Sequence, residues 1–226
     1  MKSRVAALLT VLTCTLCASS IKVGLPATVG FGNCIPFGCP GFFGTTTYQE
    51  VYESSAFSGV FDIGTIDFFS IQVPGGAPAI GNYNLTLSYT SKLPGGLDLT
   101  NPSSNIGTRT QGFFDGSLPS LSGDMLSITG TPFIYDPAIG DLLLTVAISG
   151  GGNGSIAFDF SQTQSQTGRA FFGTHPGGND EGGLVTQFDT PEVIPEPDLS
   201  PFLLTGIATG LCYSRRKAKA SRCSVA

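Results

Sequence analysis

Turn-forming residues interrupt this chain at short intervals, and between the interruptions the side chains alternate in character. Pro74-Gly75-Gly76, Pro94-Gly95-Gly96, Gly150-Gly151-Gly152 and Pro176-Gly177-Gly178 are the clearest interruptions. Glycine opens conformations that other residues avoid, and proline fixes φ and removes a donor, so such triplets end regular structure. Asn82 to Ser91 shows the alternation best. Tyr83, Leu85, Leu87 and Tyr89 fall on one side, and Asn82, Asn84, Thr86 and Ser88 on the other, which is the period of a half-buried strand.

Similar runs stand at Thr45 to Ser54, Thr65 to Val73, Met125 to Thr129, Leu142 to Ser149, Ser155 to Phe160, Arg169 to Phe172 and Leu184 to Phe188. No window free of Gly and Pro sustains the 3.6-residue period, so little helix is expected. About eight to ten strands at this spacing close most readily as a two-sheet antiparallel sandwich of jelly-roll-like topology. The fold class predicted is all-β. No repeat of fixed period is present, which argues against a solenoid or propeller.

Composition supports short strands and turns: 31 Gly, 15 Pro and 17 Phe stand beside only 12% charged residues. Charge is also unevenly placed. From Ile21 to Thr190 the only lysines and arginines are Lys22, Lys92, Arg109 and Arg169, against acids that include Asp62, Asp67, Asp98, Asp136, Asp141 and Asp159. An acidic body argues against nucleic acid as a partner. The remaining basic residues lie at the two ends, where membrane topology uses them.

Residues 1–20 have the three parts of a secretory signal. Lys2 and Arg4 are followed by an apolar run from Val5 through Leu16, and then by small residues at Ala18, Ser19 and Ser20. Removal after Ser20 is expected, leaving 21–190 as a sandwich ectodomain. Residues 191–198 form a Pro-rich linker, 199–213 an apolar membrane segment, and 214–226 a basic cytoplasmic tail. As a helix Leu199 to Tyr213 would be about 22 Å long, short of a bilayer core of about 30 Å. Spanning would need thinning, snorkelling of Arg215 and Arg216, or an enzyme partner.

The order of Pro195-Glu196-Pro197, the apolar stretch and Arg215-Arg216-Lys217 resembles the PEP-CTERM sorting signal of Gram-negative bacteria. The resemblance covers about Val193 to Lys219. It implies that Pro195, Glu196 and Pro197 form a motif recognised by an exosortase-like membrane transpeptidase, with Arg215, Arg216 and Lys217 as the basic stop. Part of the body, Leu126 to Phe133 and the Tyr135-Asp136-Pro137 that follows, also looks like ectodomains that carry such tails. What the resemblance implies is export across the inner membrane, transient anchoring, and a structural or adhesive role at the cell surface or in an exopolysaccharide matrix.

Catalytic chemistry finds little to build on. The only histidine, His175, sits in a Pro-Gly-Gly turn, and no Gly-x-Ser-x-Gly elbow occurs. Cys34 and Cys39 have no second pair for zinc. In an oxidising compartment they are expected to form a disulfide around Ile35 to Gly38, free thiols being the alternative because sequence does not fix the Cα separation. The aspartates read as single solvating residues on turns. No catalytic residue, cofactor or metal site is predicted, and the chain is read as a non-enzyme.

The runner-up function is a carbohydrate- or calcium-binding extracellular module, and the third a secreted hydrolase. With no Trp in the chain, sugar stacking would fall to Tyr48, Tyr52, Tyr83, Tyr89 and Tyr135. Calcium would suit the oxygen-rich loops Asp136 to Asp141 and Asn179-Asp180-Glu181, although ordinary turn chemistry explains both.

Overall fold

The computed structural model describes residues 19–25, 32–71, 76–161, 166–180 and 182–191. The chain divides into two units, Met1–Glu192 and Val193–Ala226, and every described residue belongs to the first. Nearly all of the expected signal, together with Pro195, Glu196, Pro197, Arg215, Arg216, Lys217 and the apolar segment, lies outside the described residues. Among the described residues no helix is long and apolar enough to cross a membrane.

The described residues form thirteen strands. In chain order they are β1 (Ser20–Val23), β2 (Gly32–Asn33), β3 (Thr45–Tyr52), β4 (Phe61–Phe69), β5 (Asn82–Thr90), β6 (Gln111–Gly116), β7 (Met125–Tyr135), β8 (Asp141–Ser149), β9 (Phe158–Ser161), β10 (Thr167–Gly173), β11 (Gly177–Asp180), β12 (Gly183–Leu184) and β13 (Thr186–Asp189). The longest α-helical piece is one turn, Pro40–Phe43. A four-stranded sheet has the order β1-β13-β4-β7, a six-stranded sheet β11-β10-β3-β8-β5-β6, and a small third sheet β12-β9-β2. The ladders are antiparallel throughout. The protein is therefore all-β.

The inward faces of the two larger sheets share one apolar cluster. Ile63, Ile66, Phe68, Leu126, Ile128 and Phe188 come from the four-stranded sheet, and Tyr48, Tyr52, Leu85, Leu87, Leu144 and Val146 from the six-stranded one. Aromatic rings span the space between the layers. Tyr52 meets Phe188 edge-on at 4.9 Å, Phe57 meets Tyr135 at 4.7 Å, and Phe37 meets Phe68 at 4.7 Å. These are favourable aromatic separations, and each pair adds about 0.5–1.5 kcal/mol beyond the area it buries.

The outward face of the six-stranded sheet is partly covered as well. Val51, Leu143, Ala170 and Phe172 form a second cluster with Leu97 from the loop after β5. That loop is pinned by polar contacts. Gln49 Nε2 donates to the Pro102 carbonyl, and Asn105 Nδ2 donates to Gln49 Oε1. Asp98 accepts from the backbone and hydroxyl of Thr100, the Asn101 amide and the Ser104 hydroxyl, and the Thr100 bonds foremost hold its carboxyl well below the usual carboxylate range.

Several elements depart from the sequence expectation. β7 runs on through Gly130 and Pro132, because its ladder with β4 bulges between the Ile63–Phe133 and Thr65–Thr129 pairs. Gly130 packs against the Phe113 carbonyl, where a Cβ would not fit. The expected strand Leu184 to Phe188 is two strands in different sheets, split at Val185, whose N–H donates to the Asp159 carbonyl. β11 occupies Gly177-Gly178, which composition marks as a turn. The strand expected to begin at Ser155 begins at Phe158, since the Ser155 amide is used by the Ala77 carbonyl.

Cys34 and Cys39 are joined by a disulfide with their Cα atoms 5.2 Å apart. The enclosed Phe37 is fully buried against Phe68, Tyr83 and Phe158. The ring therefore anchors this loop more strongly than the short covalent clip. Phe37→Ala is expected to cost about 3–5 kcal/mol in chemical denaturation. Cys34→Ser with Cys39→Ser is expected to cost less than about 2 kcal/mol, because so short a loop loses little entropy on closure. The reverse ranking would show that the clip, not the ring, carries the loop.

Candidate functional site

β3 carries a polar group into the interior. Alternation turns Tyr48, Glu50 and Tyr52 inward, while Gln49 and Val51 face the covering loop. Glu50 is fully buried. The Tyr48 hydroxyl donates to Glu50 Oε2 at 2.6 Å, and the Tyr52 hydroxyl shares a 3.0 Å hydrogen bond with Thr186 Oγ1. Arg169 on β10 stands directly opposite Glu50 in the ladder and lays its guanidinium 4.2 Å from the Phe160 ring centre. Gly183 closes the far side. A Cβ there would strike Glu50 Oε1, so glycine makes room for the carboxyl.

Burial raises the Glu50 pKa to about 8, against the opposing pull of the Tyr48 hydrogen bond, the Leu184 amide, the Arg169 charge and the Tyr52 hydroxyl. The same burial pushes the Tyr48 and Tyr52 hydroxyls well up. A carboxyl that solvent does not touch, held between two tyrosines, keeps its proton at neutral pH. Its chemistry in this arrangement is that of an internal hydrogen-bonding hub.

A second acid centre lies on the outward face of the four-stranded sheet. Asp67 of β4 is opposite Ser127 of β7 on one side and Gln187 of β13 on the other. Asp189, two residues beyond Gln187, brings its carboxyl against that of Asp67. Gln187 Nε2 donates to both Asp189 oxygens, at 3.2 and 3.1 Å. Asp67 is only 3% exposed, and no donor reaches its Oδ1. Burial first raises the Asp67 pKa to about 6, with the hydrogen bond shared with Asp189 and that residue's charge adding to it and the Ser127 hydrogen bond opposing it.

The residues singled out from sequence fall elsewhere. His175 is exposed, with Nδ1 3.4 Å from the Phe43 carbonyl. Asp136 Oδ1 accepts from the Ala138 amide in its own turn, and Asp141 Oδ1 from the Ser54 amide after β3, so both serve backbone groups. No group of three or more His, Cys, Asp or Glu able to hold a metal is found among the described residues. The tyrosines expected as a sugar platform are buried: Tyr48, Tyr52, Tyr83 and Tyr135 are fully enclosed and Tyr89 is 2% exposed. They fill a core that lacks tryptophan, and present no face to a ligand. Nor are all the aspartates single turn residues, since Asp67 and Asp189 meet across a sheet.

Neither acid centre was singled out from sequence. Glu50 had a signal, because a strand that turns Tyr48 and Tyr52 inward must turn Glu50 the same way. The Asp67–Asp189 contact had none, because it depends on β13 returning to pair with β4. The fold and these centres define an all-β antiparallel protein with one sealed acid and one paired acid. Comparison with protein-family models, with curated proteins and with solved structures found no match.

Stability should depend on pH through Glu50. Its folded pKa of about 8 exceeds its ordinary 4.5, so the folded state holds the proton where the unfolded state has released it. Its contribution is full below about 4.5 and is lost as pH rises toward about 8, at about 1.4 kcal/mol per pH unit. Asp67 acts in the same sense, but only up to about 6. Denaturant titrations at pH 6 and pH 8 should therefore show wild type losing about 2 kcal/mol across that window, and Glu50→Gln losing far less. Equal slopes would mean that Glu50 is already ionised at pH 6.

Proposed function

We propose that the chain is an exported protein of the cell surface or exopolysaccharide matrix, with a jelly-roll-like sandwich body in a structural or adhesive role. Its C-terminal end is a sorting signal of the PEP-CTERM kind. One observation carries this reading: Pro195-Glu196-Pro197, the apolar run Leu199 to Tyr213 and Arg215-Arg216-Lys217 occur in that order. Two prolines lacking backbone donors keep the motif extended and unpaired, as a processing enzyme requires of its substrate. The basic cluster holds the end of the segment on the cytoplasmic side and leaves the body outside. An exosortase-like transpeptidase is the partner this reading requires.

The form of the body agrees with the proposal. β1 pairs only with β13, and the pairs Ile21–Phe188, Lys22–Gln187 and Val23–Thr186 lie beyond the expected cleavage point, so the body is tied off just before the Pro-rich segment begins. An acidic all-β unit closed in this way can be handed from one anchor to another without unfolding.

Mass spectrometry of the mature protein from a host containing the enzyme should find the peptide beyond the Pro-Glu-Pro motif missing or replaced by an adduct. Changing Pro195, Glu196 and Pro197 together to Ala should leave export intact and the body held at the inner membrane. Unmodified chain ending at Ala226 in the wild-type host, with the triple variant indistinguishable, would reduce the segment to a plain anchor.

A further inference from the structure

One end of the sandwich is free of charge. The loops described there lie within four stretches, Cys34 to Tyr48, Ser70 to Ser91, Gly116 to Gly123 and Leu142 to Phe158, none of which holds an Asp, Glu, Lys or Arg. Acids crowd the rest of the unit: between Ile21 and Thr190 stand thirteen Asp and Glu against four Lys and Arg. Hydrogen bonds lock three of the loops together. Gly41 donates to the Gly152 carbonyl, Gly152 to Ile80 and Gly154 to Gly38, and the Phe42 amide donates to Asn153 Oδ1. A fourth, Ser117 to Ser120, faces Ala77 to Gly81 across a cleft. Asp115, bonded by Asn82 Nδ2, and the exposed His175 stand at the margin.

Two large apolar side chains are exposed on this neutral end, Phe42 by 75% and Ile80 by 74%. Phe42 is the one exposed aromatic residue among the described residues. The two stand on either side of Gly152, where a Cβ would strike the Ile80 side chain, so glycine lets their segments close up. A solitary exposed apolar residue is ordinary, but two held on one uncharged, hydrogen-bonded platform mark a surface of association. The exposed apolar residues at the other end stand among charges instead. Ile134 is opposite Asp62 in the ladder, Leu93 follows Lys92, and Ile139 lies in the turn of Asp136.

We propose that the neutral end binds a second copy of the chain, in a twofold contact centred on Phe42 and Ile80. Charge selects the occupant. Acidic bodies repel one another across faces that carry acids, and here one copy meets another without setting like charges together. In a twofold contact the same patch serves both partners, so association closes at the dimer. Phe42 supplies the aromatic anchor, and the glycine, serine and asparagine groups around it form a polar rim. Two anchors make a small contact, with a dissociation constant of about 10–100 µM. Phe37 of the same loop packs on Phe68 near the end of β4, whereas Pro191 lies on Gly64 nearer its start, so Pro191 stands away from the contact. On a surface that holds copies at effective concentrations of about a millimolar, so weak a contact ties neighbours together. That consequence rests on the surface role proposed above; the pairing does not, and its test leaves Pro195, Glu196 and Pro197 untouched.

Sedimentation equilibrium of the full chain in density-matched mild detergent, from about 5 to about 500 µM, should show a reversible monomer–dimer equilibrium. Two double variants carry the test, Phe42→Asp with Ile80→Asp and Phe42→Lys with Ile80→Lys. Each sets like charges across the twofold axis and should weaken dimerisation about tenfold or more, with the thermal midpoint unchanged because both positions are exposed. An equimolar mixture of the two should pair to within about tenfold of wild type, which chains that had failed to fold could not do. Ile134→Asp, at the charged end, should dimerise as wild type does. The proposal is overturned if wild type stays monomeric throughout, if the mixture does not pair, or if Ile134→Asp is weakened as much as the double variants. Dimers that the double variants leave intact overturn it too, and assign association to another surface. Were the double variants to dimerise normally but lose binding to phosphatidylglycerol vesicles, the patch would belong to a lipid surface instead.

Discussion

Packing two sheets face to face in a chain with no tryptophan depends on tyrosine and phenylalanine rings, and much of the polar interior follows from that choice. A phenylalanine can be buried without further provision. A tyrosine brings a hydroxyl with it, and an unpartnered hydroxyl in the core costs about 1–3 kcal/mol. Each fully buried tyrosine accordingly ends on an acceptor: Tyr48 on Glu50, Tyr52 on Thr186, Tyr83 on the Ala79 carbonyl and Tyr135 on the Gly140 carbonyl. The partners of Tyr83 and Tyr135 are local carbonyls four and five residues away. The partners of Tyr48 and Tyr52 are side chains, and Glu50 introduces an ionisable group into the core.

Three of the perturbed acids show how environment sorts one kind of side chain into different behaviours. Glu50 and Asp67 are both shifted upward by burial, and each keeps one oxygen without a hydrogen-bond partner, but Glu50 faces tyrosine hydroxyls and an arginine, whereas Asp67 meets another acid. Asp98 is shifted the other way, because a turn directs backbone and hydroxyl donors at it without burying it. The Asp67 carboxyl shares a hydrogen bond with a second acid, Asp189, where the Glu50 carboxyl accepts from Tyr48.

The sequence made the central strands legible. Asn82 to Ser91, read by alternation, differs from β5 by one residue, and Leu142 to Ser149 differs from β8 by one. Those strands pack on the core, where the period of two is enforced by burial. Edge and irregular elements were not legible. Gln111 to Gly116 holds two glycines and an aspartate and looks like a turn, yet it is β6, a strand at the edge of its sheet. Leu184 to Phe188 looks continuous because no Gly or Pro interrupts it, and only the donation from Val185 to Asp159 reveals that its halves join different sheets. The cysteine pair could be proposed from spacing and compartment. The acid pair could not, since its members are brought together by the ladder between β4 and β13.

That same ladder governs how the body meets its two ends. β13 lies between β1 and β4, so the first and last strands of the described unit are neighbours. Val23 is fully buried and Ile21 packs against the core, while Ser19 and Ser20 are exposed. Cleavage after Ser20, were it to occur, would remove one residue of β1 and the hydrogen bonds between Ser19 and Thr190, and none of the core contacts of Ile21 and Val23. On the other side, Phe188 fixes β13 in the core only a few residues before the Pro-rich segment. Asp189 is the next residue, and its carboxyl belongs to the outward acid pair. A pull on the chain beyond Asp189 would enter the sheet at this point. Such a pull would run along β13, between the β1 and β4 ladders, and would load their hydrogen bonds together rather than one at a time.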